Sequence, residues 1–260
     1  MRLLRYLYTG YAMLWFGLSF LVFFILLLIP VCWPRQHHLV GVFNRWWARL
    51  LFFLCAIPVE LEWRFTRNPR QQYIFCPNHF SYLDIPVMGL NPHNTIFVGK
   101  NDLEKIPLFG FMYRKLHITV NRRRLKSKFE TFVKSCRAID EGKSLVIFPE
   151  GGIISEREPV MASLKDGAFR VAIEKQIPLV PVTLPFNRLI LPADEFLLRW
   201  GKVKAIFHEP LKTEGLTLHD LEHLKKQMYT TIQNELNRYY GSKQSPHNEA
   251  GATGATGANG

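Results

Sequence analysis

Cysteine is scarce in this chain, with four among 260 residues, at positions 32, 55, 76 and 136. So few thiols, so widely spread, exclude a disulfide framework and read as reduced, packing side chains. Acidic residues are also in short supply, 21 against 33 lysines and arginines, for a net charge of +12. A chain that is 48% hydrophobic cannot be a disordered polyelectrolyte. Its positive charge therefore needs a nucleic acid or an anionic membrane as counterpart. Missing too are the P-loop GxxxxGK[ST], the GxGxxG fingerprint, HExxH, CxxC and the nucleophile elbow GxSxG. Their absence removes the standard signatures of nucleotide, dinucleotide, zinc-protease and serine-hydrolase chemistry. No RNP, KH or zinc-finger pattern occurs, so nucleic acid is not expected as a partner. His37-His38 is not a metal-ligand spacing, and no metal site is expected.

The longest absence is of charge. No charged residue occurs between Arg5 and Arg35, and Tyr11 to Val31 is apolar apart from one Ser and one Gly. At about 1.5 Å per residue, such a run is long enough to cross a hydrocarbon core of about 30 Å. The exit IPVCWPRQHH lacks a small-x-small cleavage site, so a retained membrane helix is expected over a signal peptide. A second apolar block, Val42 to Ile57, is short for a span and contains Arg45, Arg49 and Trp46-Trp47, which suits an interfacial or re-entrant helix. Basic residues flank both sides of the first run, so charge alone does not orient it. A span and a hairpin dipping into one leaflet both remain open.

From about residue 58 the pattern changes. VELEWRF (59–65), QQYIFCPN (71–78), TIFVGK (95–100), HITVN (117–121), SLVIFPE (144–150), IPLVPVTLP (177–185) and KVKAIFHEP (202–210) read as strands. Helical patterns lie near 82–90, 108–115, 127–141, 163–175 and 217–240. Alternation of this kind predicts an α/β fold with a mixed, mostly parallel sheet flanked by helices, preceded by an N-terminal membrane helix or two-helix hairpin. The expected organisation is membrane-anchoring helices over 1–57, a catalytic domain over 58–240, and a disordered low-complexity tail over 241–260.

The positive charge is local. Residues 99–128 hold nine basic and two acidic residues, whereas residues 129–260 are neutral overall. A basic patch beside an apolar anchor suits a phosphate-bearing ligand or a headgroup layer. In the strand-end loop Cys76-Pro77-Asn78-His79-Phe80-Ser81-Tyr82-Leu83-Asp84, a histidine with a nearby carboxylate suggests general-base catalysis. Five positions apart on one helix would place the two side chains about 140° apart. His79 and Asp84 can meet only if His79 lies in the loop and Asp84 in the first turn of the next helix, for which Ser81 is a plausible N-cap. Phe148-Pro149-Glu150-Gly151-Gly152 ends a strand with a turn whose glycines let backbone N–H groups approach a ligand, and Glu150 can accept a hydroxyl. Arg122 comes just after the strand HITV, where its fork of donors can clamp a phosphate.

The blocks NHFSYLD, KIPLFGFMYRKLHITVNR, FPEGG and IPLVPVTLP occur in that order over roughly residues 60–215. In them the chain resembles the 1-acyl-glycerol-3-phosphate acyltransferases, the lysophosphatidic acid acyltransferase family. The resemblance implies that the family's H-x4-D motif falls on His79 and Asp84. His79 would deprotonate a lysophospholipid hydroxyl, oriented and charge-balanced by Asp84. It implies Arg122 as the acceptor phosphate ligand, and Phe148, Pro149, Glu150 and Gly151 as acceptor-binding residues. Lys105 and Lys165 complete the candidate substrate contacts. No cofactor is implied beyond the acyl donor, either acyl-CoA or acyl-carrier protein, and the catalytic domain is expected on the cytoplasmic face of a membrane. The acceptor implied is 1-acyl-glycerol-3-phosphate. Another lysolipid, such as a lyso-amino-acid lipid, and a non-catalytic lipid-binding role are the alternatives.

Overall fold

The computed structural model of the chain describes residues 2–100, 104, 106–121, 124–155 and 159–241. Arg122, Lys105 and the tail beyond Gly241 therefore lie outside the described residues. The uncharged run folds as one helix, α1 (Arg2–Cys32), the one helix among the described residues long and apolar enough to cross a membrane. A short 3-10 turn at Pro34–Gln36 reverses the chain into α2 (Leu39–Leu54), so the two apolar blocks form a helical hairpin.

The body is a seven-stranded sheet of β1 (Val59–Trp63), β2 (Ile74–Pro77), β3 (Thr95–Lys100), β4 (Ile118–Val120), β5 (Ser144–Ile147), β6 (Leu179–Thr183) and β7 (Val203–Phe207). Its order is β1-β7-β6-β2-β5-β3-β4, and every pairing is parallel except β6 with β7. Between the strands run α3 (Asp84–Gly89), α4 (Phe109–Leu116), α5 (Leu125–Asp140), α6 (Gly167–Lys175) and α7 (Asn187–Ile190); α8 (Leu221–Tyr240) closes the chain. The mixed, mostly parallel α/β architecture is the one expected from the sequence.

Period-two alternation divides the core into two layers. Phe75, Val146, Val180 and Val182 face one side, where they meet Ala48, Leu51 and Phe52 of α2 and Val87 and Met88 of α3. Ile74, Cys76, Leu145 and Leu179 face the other, under Ala168, Phe169 and Ala172 of α6 and the Leu221, Leu224, Met228, Ile232, Leu236 stripe of α8. Tyr8, Ala12 and Phe16 of α1 pack on the first layer. The Tyr8 hydroxyl donates to the Cys55 carbonyl at 2.7 Å, Leu198 N–H donates to Thr9 Oγ1 at 2.9 Å, and Trp47 Nε1–H donates to Ser19 Oγ at 3.0 Å. The Tyr8 and Trp47 bonds hold the hairpin together, while the Leu198–Thr9 bond and the shared apolar layer seal one flank of it to the body. Arg45 of α2 is also committed to the body, donating to the carbonyls of Asn91 (3.1 Å) and Pro92 (2.6 Å).

Three neighbouring strands set up a common rim. β6, β2 and β5 are adjacent and mutually parallel, with Pro77 opposite Val182 and Phe75 opposite Val146. Parallel neighbours end on the same side of a sheet, so their C-terminal loops converge.

Candidate active site

His79 lies two residues beyond β2, Glu150 three beyond β5, and Asn187 four beyond β6, each in the loop or short helix at the strand's end. Asp84 is the first residue of α3, and His79 lies in the preceding loop, which is the arrangement the five-residue spacing requires. The two side chains meet, with His79 Nδ1 2.9 Å from Asp84 Oδ2. That same oxygen accepts the backbone N–H groups of Phe80 at 2.9 Å and Ser81 at 3.0 Å, while Oδ1 accepts Asn187 Nδ2–H at 2.8 Å. Asp84 is fully buried, and four donors converging on its carboxylate compensate its desolvation. An oxygen already accepting two N–H groups has only a lone pair to offer the imidazole. His79 therefore carries its proton on Nδ1, and Nε2 presents a lone pair.

Ser81 does not cap α3 from the N-cap position, which Leu83 occupies. Its hydroxyl instead accepts Leu83 N–H at 3.2 Å and donates to the Leu191 carbonyl at 2.7 Å. The cause is the short loop. The carboxylate of Asp84 takes the N–H groups of Phe80 and Ser81 itself, so the helix starts later and Ser81 pins the turn to the β6–β7 connection.

The Phe148–Gly151 turn packs directly on the histidine. The Phe148 ring stacks on the His79 imidazole at 3.9 Å between centroids and 22° between planes. Gly151 has φ +88, a left-handed conformation that favours glycine, and its N–H closes the turn on the Phe148 carbonyl at 3.1 Å. Pro149 is buried and its carbonyl accepts Lys165 N–H at 2.8 Å.

Glu150, expected as an acceptor contact, is engaged on both oxygens by the protein itself. Although it borders the cavity beside His79, it is fully buried. Its Oε1 accepts His79 N–H and its Oε2 accepts Ala162 N–H, both at 2.8 Å. Burial pushes its carboxyl up to about 7, with Asp84 adding to the rise and the two N–H donors opposing it. The carboxylate is turned inward because the main-chain N–H of His79 has no strand partner, and a buried N–H requires an acceptor. Glu150 thereby holds the loop that carries the histidine.

His79 opens onto a cavity of about 1440 Å³. Its walls are largely apolar, with Phe20, Phe23 and Leu27 of α1, Trp47 of α2, Phe109 and Tyr113 of α4, and Phe129 and Phe132 of α5. Lys128, Lys165 and Arg170 bring cationic groups to it. A histidine–carboxylate pair on the wall of a large, mainly apolar cavity is suited to a reaction on a polar group attached to a hydrocarbon chain. Among the described residues, no cluster of three or more His, Cys, Asp or Glu is placed to hold a metal ion.

Of the residues singled out in the sequence, His79, Asp84, Phe148, Pro149, Glu150 and Gly151 come together, and exposed Lys165 borders the same cavity. The sequence reasoning missed Asn187. Its only sequence signal is an Asn just beyond a buried strand, which otherwise reads as an ordinary turn.

Residues 60–185 match the family model described as Acyltransferase. The chain is 28% identical over 210 residues to a 1-acyl-sn-glycerol-3-phosphate acyltransferase of Cocos nucifera, covering 78% of this chain and 66% of that protein. It is 28% identical over 207 residues to the protein of the same description in Saccharomyces cerevisiae, covering 76% and 67%. The chain thus spans about two thirds of these relatives' length. Its fold matches the crystal structure of the 1-acyl-sn-glycerophosphate acyltransferase PlsC from Thermotoga maritima, with a TM-score of 0.74, 19% identity, and coverage of 93% of this chain and 99% of that one.

Proposed function

The chain belongs to the acyltransferase family, and on that premise we propose that it moves a fatty acyl group from an acyl thioester to the free hydroxyl of a lysophospholipid. The acceptor we propose is 1-acyl-glycerol-3-phosphate, the substrate in the names of its relatives, giving phosphatidic acid. The observation that carries this reading is the His79–Asp84 pair opening onto a large apolar cavity.

The His79–Asp84 contact supports the following order of steps. His79 Nε2 removes the acceptor's hydroxyl proton as its oxygen attacks the thioester carbonyl carbon. The imidazolium that forms is stabilised by Asp84 at 2.9 Å from Nδ1. Collapse of the tetrahedral intermediate breaks the C–S bond, and the imidazolium returns its proton to the departing thiolate. No acyl-enzyme forms, because the attacking nucleophile belongs to the substrate. The cavity holds the chains so that hydroxyl and thioester meet. Arg122 is the phosphate clamp by its motif, with Lys105 and Lys165 as further anionic contacts. The donor is acyl-CoA or acyl-carrier protein. Glu150 acts by positioning the His79 loop rather than by touching the acceptor.

The membrane is the natural location for such substrates, and α1 is the element suited to it. Because one flank of α1 is sealed to the body, its exposed Leu14, Leu18, Leu21, Val22 and Ile25 make a one-sided apolar surface. That supports a hairpin embedded in one leaflet over a lone span surrounded by lipid; the side on which we propose the body lies is the cytoplasmic one.

The test is an acyltransferase assay on purified membranes with a panel of lysolipids and both donor types. His79→Ala should lower turnover by at least about 10²–10⁴-fold, the usual contribution of a positioned base, while flotation with the membranes is unchanged. Wild-type turnover in that variant would end the mechanism.

A further inference from the structure

Beyond its part in the cavity wall, α5 presents an exposed face to its surroundings. Thr131, Ser135, Ala138 and Ile139 fasten the helix to the body. On the far side Leu125, Phe129 and Val133 recur every four residues, forming one stripe, and they are 81%, 67% and 48% exposed. Lys126 and Lys128 are exposed on either side of that stripe, with Arg124 exposed just before the helix. No acidic residue occurs between Glu104 and Glu130, a stretch that also holds Arg114, Lys115, Arg122 and Arg123. Three large apolar side chains held in water on a helix with cations on both flanks make an amphipathic, basic surface. Leu125, Lys128 and Phe129 also border the cavity that Phe20, Phe23 and Leu27 of α1 border.

We propose that the Leu125–Phe129–Val133 face of α5 is a second membrane contact, docking the body onto an anionic lipid surface beside the cavity. Charge complementarity selects the occupant. Phosphate headgroups answer the cations of Lys126, Lys128 and Arg124. The stripe enters the acyl boundary between them. A small phosphorylated ligand would use the cations and leave the stripe in water. With α1 on one side of the cavity and α5 on another, a lipid reaches His79 from the bilayer without crossing the aqueous phase. The surface is distinct from the α1–α2 hairpin, and its use in supplying substrate rests on the acyl-transfer reading.

The test labels the full chain at Phe129→Cys with an environment-sensitive fluorophore, after exposed Cys32 and half-buried Cys136 have been replaced by serine. A second protein carries the label at Lys226→Cys, an exposed position of α8. Each is bound to phosphatidylcholine vesicles with and without phosphatidylglycerol, both containing nitroxide-labelled lipid. The proposal expects a blue shift and several-fold quenching at position 129, stronger with phosphatidylglycerol, and none at 226. The double variant Lys126→Glu/Lys128→Glu should lose the anionic-lipid dependence at 129 while still floating with vesicles through α1. Absence of quenching at 129 in vesicle-bound protein overturns the proposal, as does equal quenching at 226. A blue shift at 129 produced by an acidic acyl-carrier protein without vesicles overturns it in favour of a protein-docking surface. Quenching is read without turnover, so the contact can fail while acyl transfer stands, and the reverse.

Discussion

Asp84 shows how one side chain organises a site. It is fully buried, takes four hydrogen bonds, and through them sets the tautomer of His79, the start of α3 and the link to Asn187. Asn187 is the cheapest place to test that organisation. Its Nδ2–H is the sole donor to Asp84 Oδ1 among the described residues, and its own Oδ1 is buried without a partner there. Asn187→Ala leaves a buried carboxylate oxygen unsatisfied, which should cost about 1–3 kcal/mol in thermal or denaturant unfolding. It should also lower kcat by about tenfold with little change in KM, because a misdirected carboxylate weakens imidazolium stabilisation more than binding. Glu150 gives a pH test. Its carboxyl sits near 7 in the folded protein, above the ordinary value of about 4.3. Between those two pH values the folded state holds one more proton than the unfolded state, so Glu150's contribution to stability falls as pH rises, then levels off above 7. The stability difference between wild type and Glu150→Gln should therefore shrink from about pH 4.5 to 7, read from unfolding midpoints in buffered denaturant. A constant difference would mean that Glu150 is ionised throughout.

At the scale of elements, the site depends on how strand ends are held. β1 is an edge strand, and Arg64, the residue just beyond its end, is tied to the last helix. Arg64 Nη1–H and Nη2–H donate to Glu235 at 2.7 and 2.8 Å, while its Nε–H donates to Glu62 at 2.7 Å. Glu235 on α8 is buried, and the Arg64 guanidinium holds its carboxyl below the usual range. Beside them His208 is held neutral, pushed down to about 4 by burial and by Arg64, with Nε2 2.8 Å from the Thr183 hydroxyl. Arg64 is about a third exposed, which weakens the pair by solvent screening. Glu235→Gln should cost about 1–3 kcal/mol and lower the melting temperature, while turnover well below that temperature is unchanged, since the clamp lies away from His79. The helices themselves were legible in the sequence, because α8 and α5 carry their apolar residues at three- and four-residue spacing. The caps were less so. A serine near a helix start reads as an N-cap, but the adjacent carboxylate of Asp84 competes for the same N–H groups, and only the folded loop shows which acceptor takes them.

For the molecule as a whole, the hairpin and the body share one hydrophobic layer. Ala48, Leu51 and Phe52 of α2 pack with Phe75, Val146 and Val182, and α1 adds Tyr8, Ala12 and Phe16. Deleting residues 1–57 would expose that layer to water, at a cost of roughly 25 cal/mol per Å² uncovered. The body alone should therefore aggregate, or show a broad, low-temperature unfolding transition by calorimetry. A soluble, cooperatively folded 58–240 fragment would show that the hairpin is an appendage after all. The electrostatic asymmetry also works at this scale. A neutral C-terminal half leaves more than half of the net +12 charge on the 30 residues of the basic 99–128 segment.

The sequence by itself determined the class of fold, the strand positions, the two apolar blocks and the pairing condition for His79 and Asp84. Each of these depends on periodicity, composition or local spacing, which the order of residues carries directly. Tertiary structure alone decided that His79, Glu150 and Asn187 meet, because β2, β5 and β6 are neighbours in space but lie more than a hundred residues apart in the chain from first to last. It decided that Glu150 faces inward, since only the folded loop leaves the His79 N–H in need of an acceptor. It also decided that α1 has one flank against protein and one exposed. A hydropathy pattern measures how apolar a helix is, but which of its sides finds a partner depends on surfaces that exist only once the sheet has formed.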